Sequence, residues 1–590
     1  MDKFNVFING KEFQAVNGQT ILDVCRKNGI EIPTLCHDDR LKPYSSCFLC
    51  VVEIEGIRTL QPSCSTKAAK DMKINTDSDR IKKSRKTALE LLLSNHYADC
   101  LGPCKLTCPA GVDVQGYIAL IEKGLFSDAV GLIKEKNPLP AICGRVCVRP
   151  CEVACRRNLI DETGVGIDYL KRYATDKDFE GTKYMPVKKP STGKKVCVIG
   201  AGPAGLTSAY YLSVQGHKVD IIEASPHGGG MLRYGIPEYR LPNDLLQKEI
   251  DSITELGAEI SYSKKFGRDI NYDHLKANYD AMITTVGCQK GSSMRVEDED
   301  AEGVLSGIDY LRTMELTGKK FDFKGKTVAT IGGGNTAMDC CRSALRCGAS
   351  KSYIIYRRTE KEMPANPIEI HESKLEGVEY MFLTAPLKVN KDENGRLKSL
   401  RCIKMELGEP DASGRRSPVP VEGSEFDIEL DFILGAIGQK TDVDFVENIN
   451  PLADGEFKLN RWGNIEADER TLQTGVPGIF AAGDAVTGAA TLIEAIAQGR
   501  RAAASCHQFL TDQAVVGEPG EFVSRRDNFT EQDPADYKPE YEQQFREEMP
   551  VLPANMRKNF DEVELGYTCD QAKNEVNRCL ECGCDAYFTC

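Results

Sequence analysis

Cysteine is the residue through which this chain could do chemistry. The 590 residues include 24 Cys, most of them in three bursts at 36–64, 100–155 and 569–590. Cys36, Cys47, Cys50 and Cys64 are spaced C-x10-C-x2-C-x13-C. Four thiolates meet the needs of the two irons of a [2Fe–2S] cluster. A zinc ribbon uses two short C-x2-C knuckles, and this stretch has one. Cys25 falls outside the pattern and is expected in the core. In the second burst His96, Cys100, Cys104 and Cys108 follow one another at x3 steps, and Cys143, Cys147, Cys151 and Cys155 repeat that step. Seven cysteines and a histidine approach the count for two [4Fe–4S] clusters, and the Cys108-Pro109 step recurs in ferredoxin-type sites. Cys579, Cys582, Cys584 and Cys590 close the chain and could hold an additional [4Fe–4S] cluster or a small zinc site.

A second chemistry is written in glycine. The apolar stretch Lys195–Ile199 leads into Gly200-Ala-Gly202-Pro203-Ala204-Gly205, and a later strand ends at Glu223. Strand, G-x-G-x-x-G, helix and distal acid form a dinucleotide-binding fingerprint. The glycines admit a pyrophosphate at the helix N-terminus, and the acid accepts hydrogen bonds from a ribose. A second copy runs Gly332-Gly-Gly334-Asn335-Thr336-Ala337, but its later strand ends in Arg357-Arg358. Guanidinium groups there bind a 2′-phosphate that a carboxylate would repel, so this site is expected to take NADP(H). Gly483-Asp484, followed by Thr491 and a small-residue helix, suits the ribityl and phosphate end of FAD.

These motifs resemble known families. Leu35-Cys36-His37-Asp38 and Cys47-Phe48-Leu49-Cys50 are similar to the ferredoxin domain that opens the large iron–sulfur subunit of complex I and iron-only hydrogenases. Cys108-Pro109-Ala-Gly-Val-Asp and Asn137-Pro138-Leu139-Pro140-Ala-Ile-Cys143-Gly144-Arg145-Val146-Cys147 are similar to the helical double-cluster domain of three relatives. These are the glutamate synthase small subunit, dihydropyrimidine dehydrogenase and the large subunit of NADH-dependent ferredoxin:NADP oxidoreductase. The resemblance continues through Gly230, Met231, Arg233, Gly235 and Ile236 near the flavin, Gly287 and Gly438 at the lobe crossings, and Gly483-Asp484. It implies crosswise ligation, with one cluster on Cys100, Cys104, Cys155 and the position held by His96. The other would use Cys108, Cys147, Cys151 and a non-cysteine residue. The family's Glu or Gln falls near Lys171, so Asp168 or Cys143 is left to serve. Arg578-Cys579-Leu580-Glu581-Cys582 is similar to the C-x2-C that the family carries before its first cluster, displaced here to the far end.

The elements that must position these groups follow from pattern. Residues 1–80 read as short strands around a [2Fe–2S] ferredoxin-like domain, and 81–174 as helices of a double [4Fe–4S] domain. Alternating strands and helices then suggest a two-dinucleotide-binding-domain, Rossmann-like α/β flavoprotein. Its FAD halves fall at 194–312 and 445–512, its inserted NADP(H) domain at 313–444, and a cysteine-rich tail at 513–590. The whole is a multidomain α+β and α/β chain.

The net charge of −13 argues against nucleic acid, and no apolar run is long enough to span a membrane. The start lacks a signal-peptide core, so the protein is expected to be cytoplasmic. No catalytic triad or carboxylate pair stands out, so FAD and the clusters are expected to carry the chemistry. The resemblance implies a subunit of an electron-bifurcating, ferredoxin-dependent transhydrogenase, coupling NADPH, NAD and ferredoxin beside an NADH-binding flavoprotein subunit. The alternative is an NADPH-dependent electron-input subunit for glutamate synthase, hydrogenase or formate dehydrogenase.

Overall fold

The computed structural model describes residues 3–94, 99–411, 414–450, 455–520, 523–525 and 543–583. Two compact units result, residues 1–100 with 523–527 and residues 101–522 with 528–590. His96, Cys584 and Cys590 lie outside the described residues.

The first unit is a five-stranded sheet in the order Lys11–Val16, Lys3–Ile8, Lys73–Asn75, Val51–Ile54, Gln61–Pro62. The hairpin Lys3–Ile8/Lys11–Val16 alternates apolar and polar residues, and Val6, Ile8 and Ala15 turn inward. A short helix, Ile21–Lys27, starts at Thr20, whose hydroxyl and the Asp23 carboxylate cap each other's backbone N–H. That helix buries Ile21, Leu22, Val24 and Cys25 against the sheet, so Cys25 is a core residue as expected.

The second unit opens with short helices. Pro103–Thr107, Val114–Glu122, Phe126–Lys134, Pro140–Val146 and Ile167–Glu180 bury one continuous apolar face. Proline at the first turn starts the helices at 103, 140 and 150, where its missing N–H costs nothing. A parallel sheet follows in the order Ile479–Ala481, Ala281–Thr284, Lys195–Ile199, Lys218–Ile222, Glu259–Ser261. It is formed by both ends of the flavoprotein region. A second sheet has the order Val304–Ser306, Phe432–Gly435, Thr327–Ile331, Lys351–Ile355, Glu379–Met381. It begins at Val304, ahead of the boundary set at 313 from the sequence. No expectation from the sequence covers a four-stranded antiparallel sheet between Thr384 and Glu429, in which Leu397–Pro410 pairs with Thr384–Lys391, Arg416–Pro420 and Phe426–Glu429. Among the described residues no helix is long and apolar enough to cross a membrane.

Candidate electron-transfer site

In the first unit, the cysteine loop pairs its thiols. Cys36 and Cys47 share a side-chain hydrogen bond, as do Cys50 and Cys64. Two pairs of sulfurs match two irons that each take two thiolates. Ser45 and Phe48 have φ of 59° and 54°, a left-handed conformation that non-glycine residues adopt at a cost. The loop turns there, and the N–H groups of Ser46 and Cys47 point at the Cys36 sulfur. Burial opposes ionisation of Cys36, but these donors outweigh it and lower its thiol to about 7. The donor set fits a [2Fe–2S] cluster.

In the second unit, the cysteines sort differently from the expectation. Cys104, Cys155, Cys579 and Cys582 line one small cavity, walled by Ile118, Val165 and Ile167. Cys579 and Cys582 therefore stand with Cys104 and Cys155, where the sequence reading put His96 and Cys100. Helix Cys569–Val576 delivers them, buried through Ala572 and Val576 against helices Val114–Glu122 and Ile167–Glu180. A four-residue capping box starts it, with Thr568 and Gln571 bonding each other's backbone N–H. Backbone N–H groups of Lys105, Val165, Arg157 and Glu581 aim at the sulfurs of Cys104, Cys155 and Cys579, and the Arg156 side chain donates to Cys582.

Cys147 and Cys151 are buried on the neighbouring helices, and Cys108 ends the helix that packs on Pro150–Val153. Both candidates for a fourth ligand lie close by. The Cys143 thiol hydrogen-bonds to that of Cys147. The buried Asp168 carboxylate is instead held by Lys171 Nζ at 2.7 Å and Arg149 Nε at 3.4 Å. Among the described residues no three Cys, His, Asp or Glu side chains converge as they would on a single metal ion. Cys104, Cys155, Cys579 and Cys582 line a small cavity instead, as ligands of a polynuclear cluster would.

The dinucleotide residues open onto a cavity of about 700 Å³. Gly200, Gly202, Pro203, Ala204, Glu223, Gly230, Met231, Gly235, Ile236 and Gly287 line it from one side. Gly483, Asp484 and Thr491 line it from a second, and Gly334, Asn335 and Thr336 from a third. That size suits an extended dinucleotide. Gly200 has φ of +101°, and a Cβ there would lie 2.6 Å from the Thr285 carbonyl. A Cβ on Gly205 would lie 2.0 Å from the Gly200 carbonyl, so Gly205 serves strand–helix packing rather than the cavity. The Glu223 carboxylate accepts from the N–H groups of Ala201 at 2.8 Å and Ser225 at 2.7 Å, which fixes it at the strand end. Burial raises Asp484 to about 6, although the Ala490 N–H opposes the shift.

In the second fingerprint Gly332 has φ of +144° and Gly333 packs under the Tyr356 ring. Nothing lies within 4 Å of a Cβ on Gly334, which leaves the N-terminus of helix Asn335–Arg346 open. Ala337 is buried within that helix. The two arginines differ. Arg358 is buried, with Nε on the Arg416 carbonyl and Nη2 on Asp411, each at 2.7 Å. Arg357 is exposed and has no hydrogen-bond or ion-pair partner among the described residues. It is the one available to a 2′-phosphate. Arg233 is likewise committed, its Nε donating to the Gly228 carbonyl at 2.9 Å. Gly438, at φ +118°, turns the crossing between the sheets.

Several contributors were not among the expected site residues. Gln498 Oε1 accepts from the Gly483 N–H at 2.8 Å. Thr285 Oγ1 donates to the Ile199 carbonyl at 2.8 Å. Arg240 lines the cavity and pairs with Asp339 at 2.9 Å and Glu369 at 2.9 Å. Burial raises Asp339 to about 6 in spite of that partner.

Comparison with known proteins agrees with this layout. Residues 194–499 match the model of pyridine nucleotide-disulphide oxidoreductases. Residues 83–183 match dihydropyrimidine dehydrogenase domain II with its 4Fe-4S cluster, and 2–79 match a 2Fe-2S iron-sulfur cluster binding domain. The NADP(+)-dependent formate dehydrogenase subunit beta of Moorella thermoacetica is 40% identical over 509 residues, covering 81% of this chain and 70% of that protein. The NADPH-Fe(3+) oxidoreductase subunit beta of Geobacter sulfurreducens is 40% identical, covering 81% of this chain and 75% of that one. The glutamate synthase [NADPH] small chain of Escherichia coli is 36% identical, covering 68% and 87%. The chain belongs to the pyridine nucleotide-disulphide oxidoreductase family, as a flavoprotein oxidoreductase preceded by 2Fe-2S and 4Fe-4S domains.

Proposed function

We propose that this chain is the NADPH-linked iron–sulfur flavoprotein subunit of a hetero-oligomeric electron-transfer complex. One observation carries the reading: the Gly200–Ala204 turn, Asp484 and the Gly334–Thr336 helix start all line one continuous cavity. Bound FAD supplies the exchange between two-electron hydride transfer and one-electron transfer to clusters. The protein's part is positional. Two helix N-termini receive the pyrophosphates, Glu223 holds a ribose, and Arg357 selects the 2′-phosphate.

Two finer readings divide on the acceptor. The relatives that span most of this chain are named for NADP(+)-dependent formate dehydrogenase and NADPH-Fe(3+) oxidoreductase, which favours an electron-input subunit. The added [2Fe–2S] domain also suits electron bifurcation between NAD and ferredoxin, with an NADH-binding flavoprotein and ferredoxin as partners. The test is anaerobic NADPH oxidation by the native complex with NAD alone, ferredoxin alone and both. Turnover with a single acceptor supports the input reading. A strict requirement for both acceptors overturns it in favour of bifurcation. Failure of NADPH to bleach the flavin at all would sink both.

A further inference from the structure

Four cysteines from three distant parts of the sequence meet in the second unit. Cys104 lies in helix Pro103–Thr107, Cys155 follows helix Pro150–Val153, and Cys579 and Cys582 follow helix Cys569–Val576. All four line the same small apolar cavity.

The approach of the last pair is built in. Arg578 is 1% exposed, and its guanidinium donates to the carbonyls of Gly164 at 3.1 Å and Thr163 at 2.7 Å. It also meets the carboxylates of Asp161 at 3.1 Å and Glu575 at 2.6 Å. Glu575 in turn accepts from the Gly166 N–H at 2.6 Å. These bonds tie the C-x2-C to the loop that follows Cys155. On the other side the Gln115 amide donates to the Cys582 carbonyl. Gly102 admits that backbone, since a Cβ there would lie 3.0 Å from the Cys582 carbonyl. A Cβ on Gly164 would lie 2.4 Å from the Glu152 carbonyl and 3.1 Å from Cys155 Cβ. Two glycines and one fully buried arginine thus exist where the segment must close on the cage.

We propose that Cys104, Cys155, Cys579 and Cys582 together ligate one [4Fe–4S] cluster, with Cys579 and Cys582 in place of His96 and Cys100. Each ligation forms one Fe–S bond and releases one thiol proton, with no change of oxidation state in the protein. Amide N–H groups on the sulfurs, with Arg156 and Arg578 alongside, stabilise the negative charge that four thiolates bring. The chain then has no separate cluster on Cys579 and Cys582. The assignment rests on the iron–sulfur part of the functional reading, not on the identity of the acceptor.

The experiment uses the full chain purified anaerobically. Iron, sulfide and zinc are counted per flavin, and the dithionite-reduced EPR spectrum is recorded. The double variant Cys579→Ser/Cys582→Ser should lose about four irons and about four sulfides per chain. Its [2Fe–2S] signal and NADPH bleaching of the flavin should stay. Cys100→Ser should keep full iron. Full iron in the double variant, loss of four irons in Cys100→Ser, or zinc in place of the missing iron overturns the proposal. If the double variant does not fold, alkylation of the unaltered protein decides. Cys104, Cys155, Cys579 and Cys582 should become modified together, and only after iron is chelated. Modification of Cys579 and Cys582 ahead of the other two would refute the assignment. NADPH bleaching is read separately, so a failed ligand set and a failed functional reading give different results.

Discussion

The two cysteine cages are built on opposite plans. The first draws Cys36, Cys47, Cys50 and Cys64 from one loop region, and its geometry comes from left-handed turns at Ser45 and Phe48. The second gathers Cys104, Cys155, Cys579 and Cys582 across 478 residues (582 − 104) and needs helix packing, two glycines and a buried arginine to close. A local cage needs short-range chain geometry, whereas an assembled one inherits the stability of the unit around it. Closing a long loop costs only slowly more than a short one, so distance along the chain is no barrier once packing holds the ends.

The sharpest way to break this contrast is at Arg578. Arg578→Ala strands the buried Asp161 and Glu575 carboxylates, at a cost of about 3–5 kcal/mol. We expect a lower melting temperature for the flavoprotein unit and loss of the assembled cluster's iron. The [2Fe–2S] EPR signal should not change, and its parallel loss would mean that the cages are not independent.

The nucleotide site offers a second probe, because its two arginines differ in the same local-versus-assembled way. Arg357→Ala should raise the KM for NADPH roughly 10- to 100-fold, the worth of about 1.5–3 kcal/mol in a charge-assisted bond, with little change for NADH. Arg358→Ala should act mainly on stability, because its guanidinium already holds Asp411 and the Arg416 carbonyl. Steady-state kinetics with both nucleotides separates the two.

Asp484 gives a pH test. Its folded-state value of about 6 lies above the ordinary 3.8. Between those values the native state holds the proton that the unfolded chain has released, so stability of the flavin-free protein falls as pH rises from about 4 to 6. Asp484→Asn should flatten that slope in chemical denaturation and weaken FAD binding. An unchanged slope would remove Asp484 as its source.

The smallest effect is expected at Cys25. It is fully buried in the first unit's core and outside both cages. Cys25→Ala should cost about 1 kcal/mol and no iron.

Legibility in the sequence followed the same divide. The Cys36–Cys64 spacing, the strand–glycine–helix fingerprints and Cys25 as core are all short-range patterns, and residue types within a few positions decide them. The join between Cys579 and Cys155 is decided by Arg578, Gly102 and Gly164, which no spacing rule links. Resemblance flagged Cys579-x2-Cys582 as a displaced ligand pair, but only the packed helices show where it goes. Arg357 and Arg358 looked equivalent because Asp411, which occupies one of them, is far away in sequence.

The order of synthesis gives the assembled cage a timetable. Cys579 leaves the ribosome 424 residues after Cys155 (579 − 155). At roughly 5–20 residues per second this is a wait of about 20–85 s, during which two soft, reactive sulfurs stand without their partners. The first cage has all of its sulfurs within the opening 64 residues. On this assignment the early cage can be filled long before the late one, and oxidation in the interval would find Cys104 and Cys155 without Cys579 and Cys582.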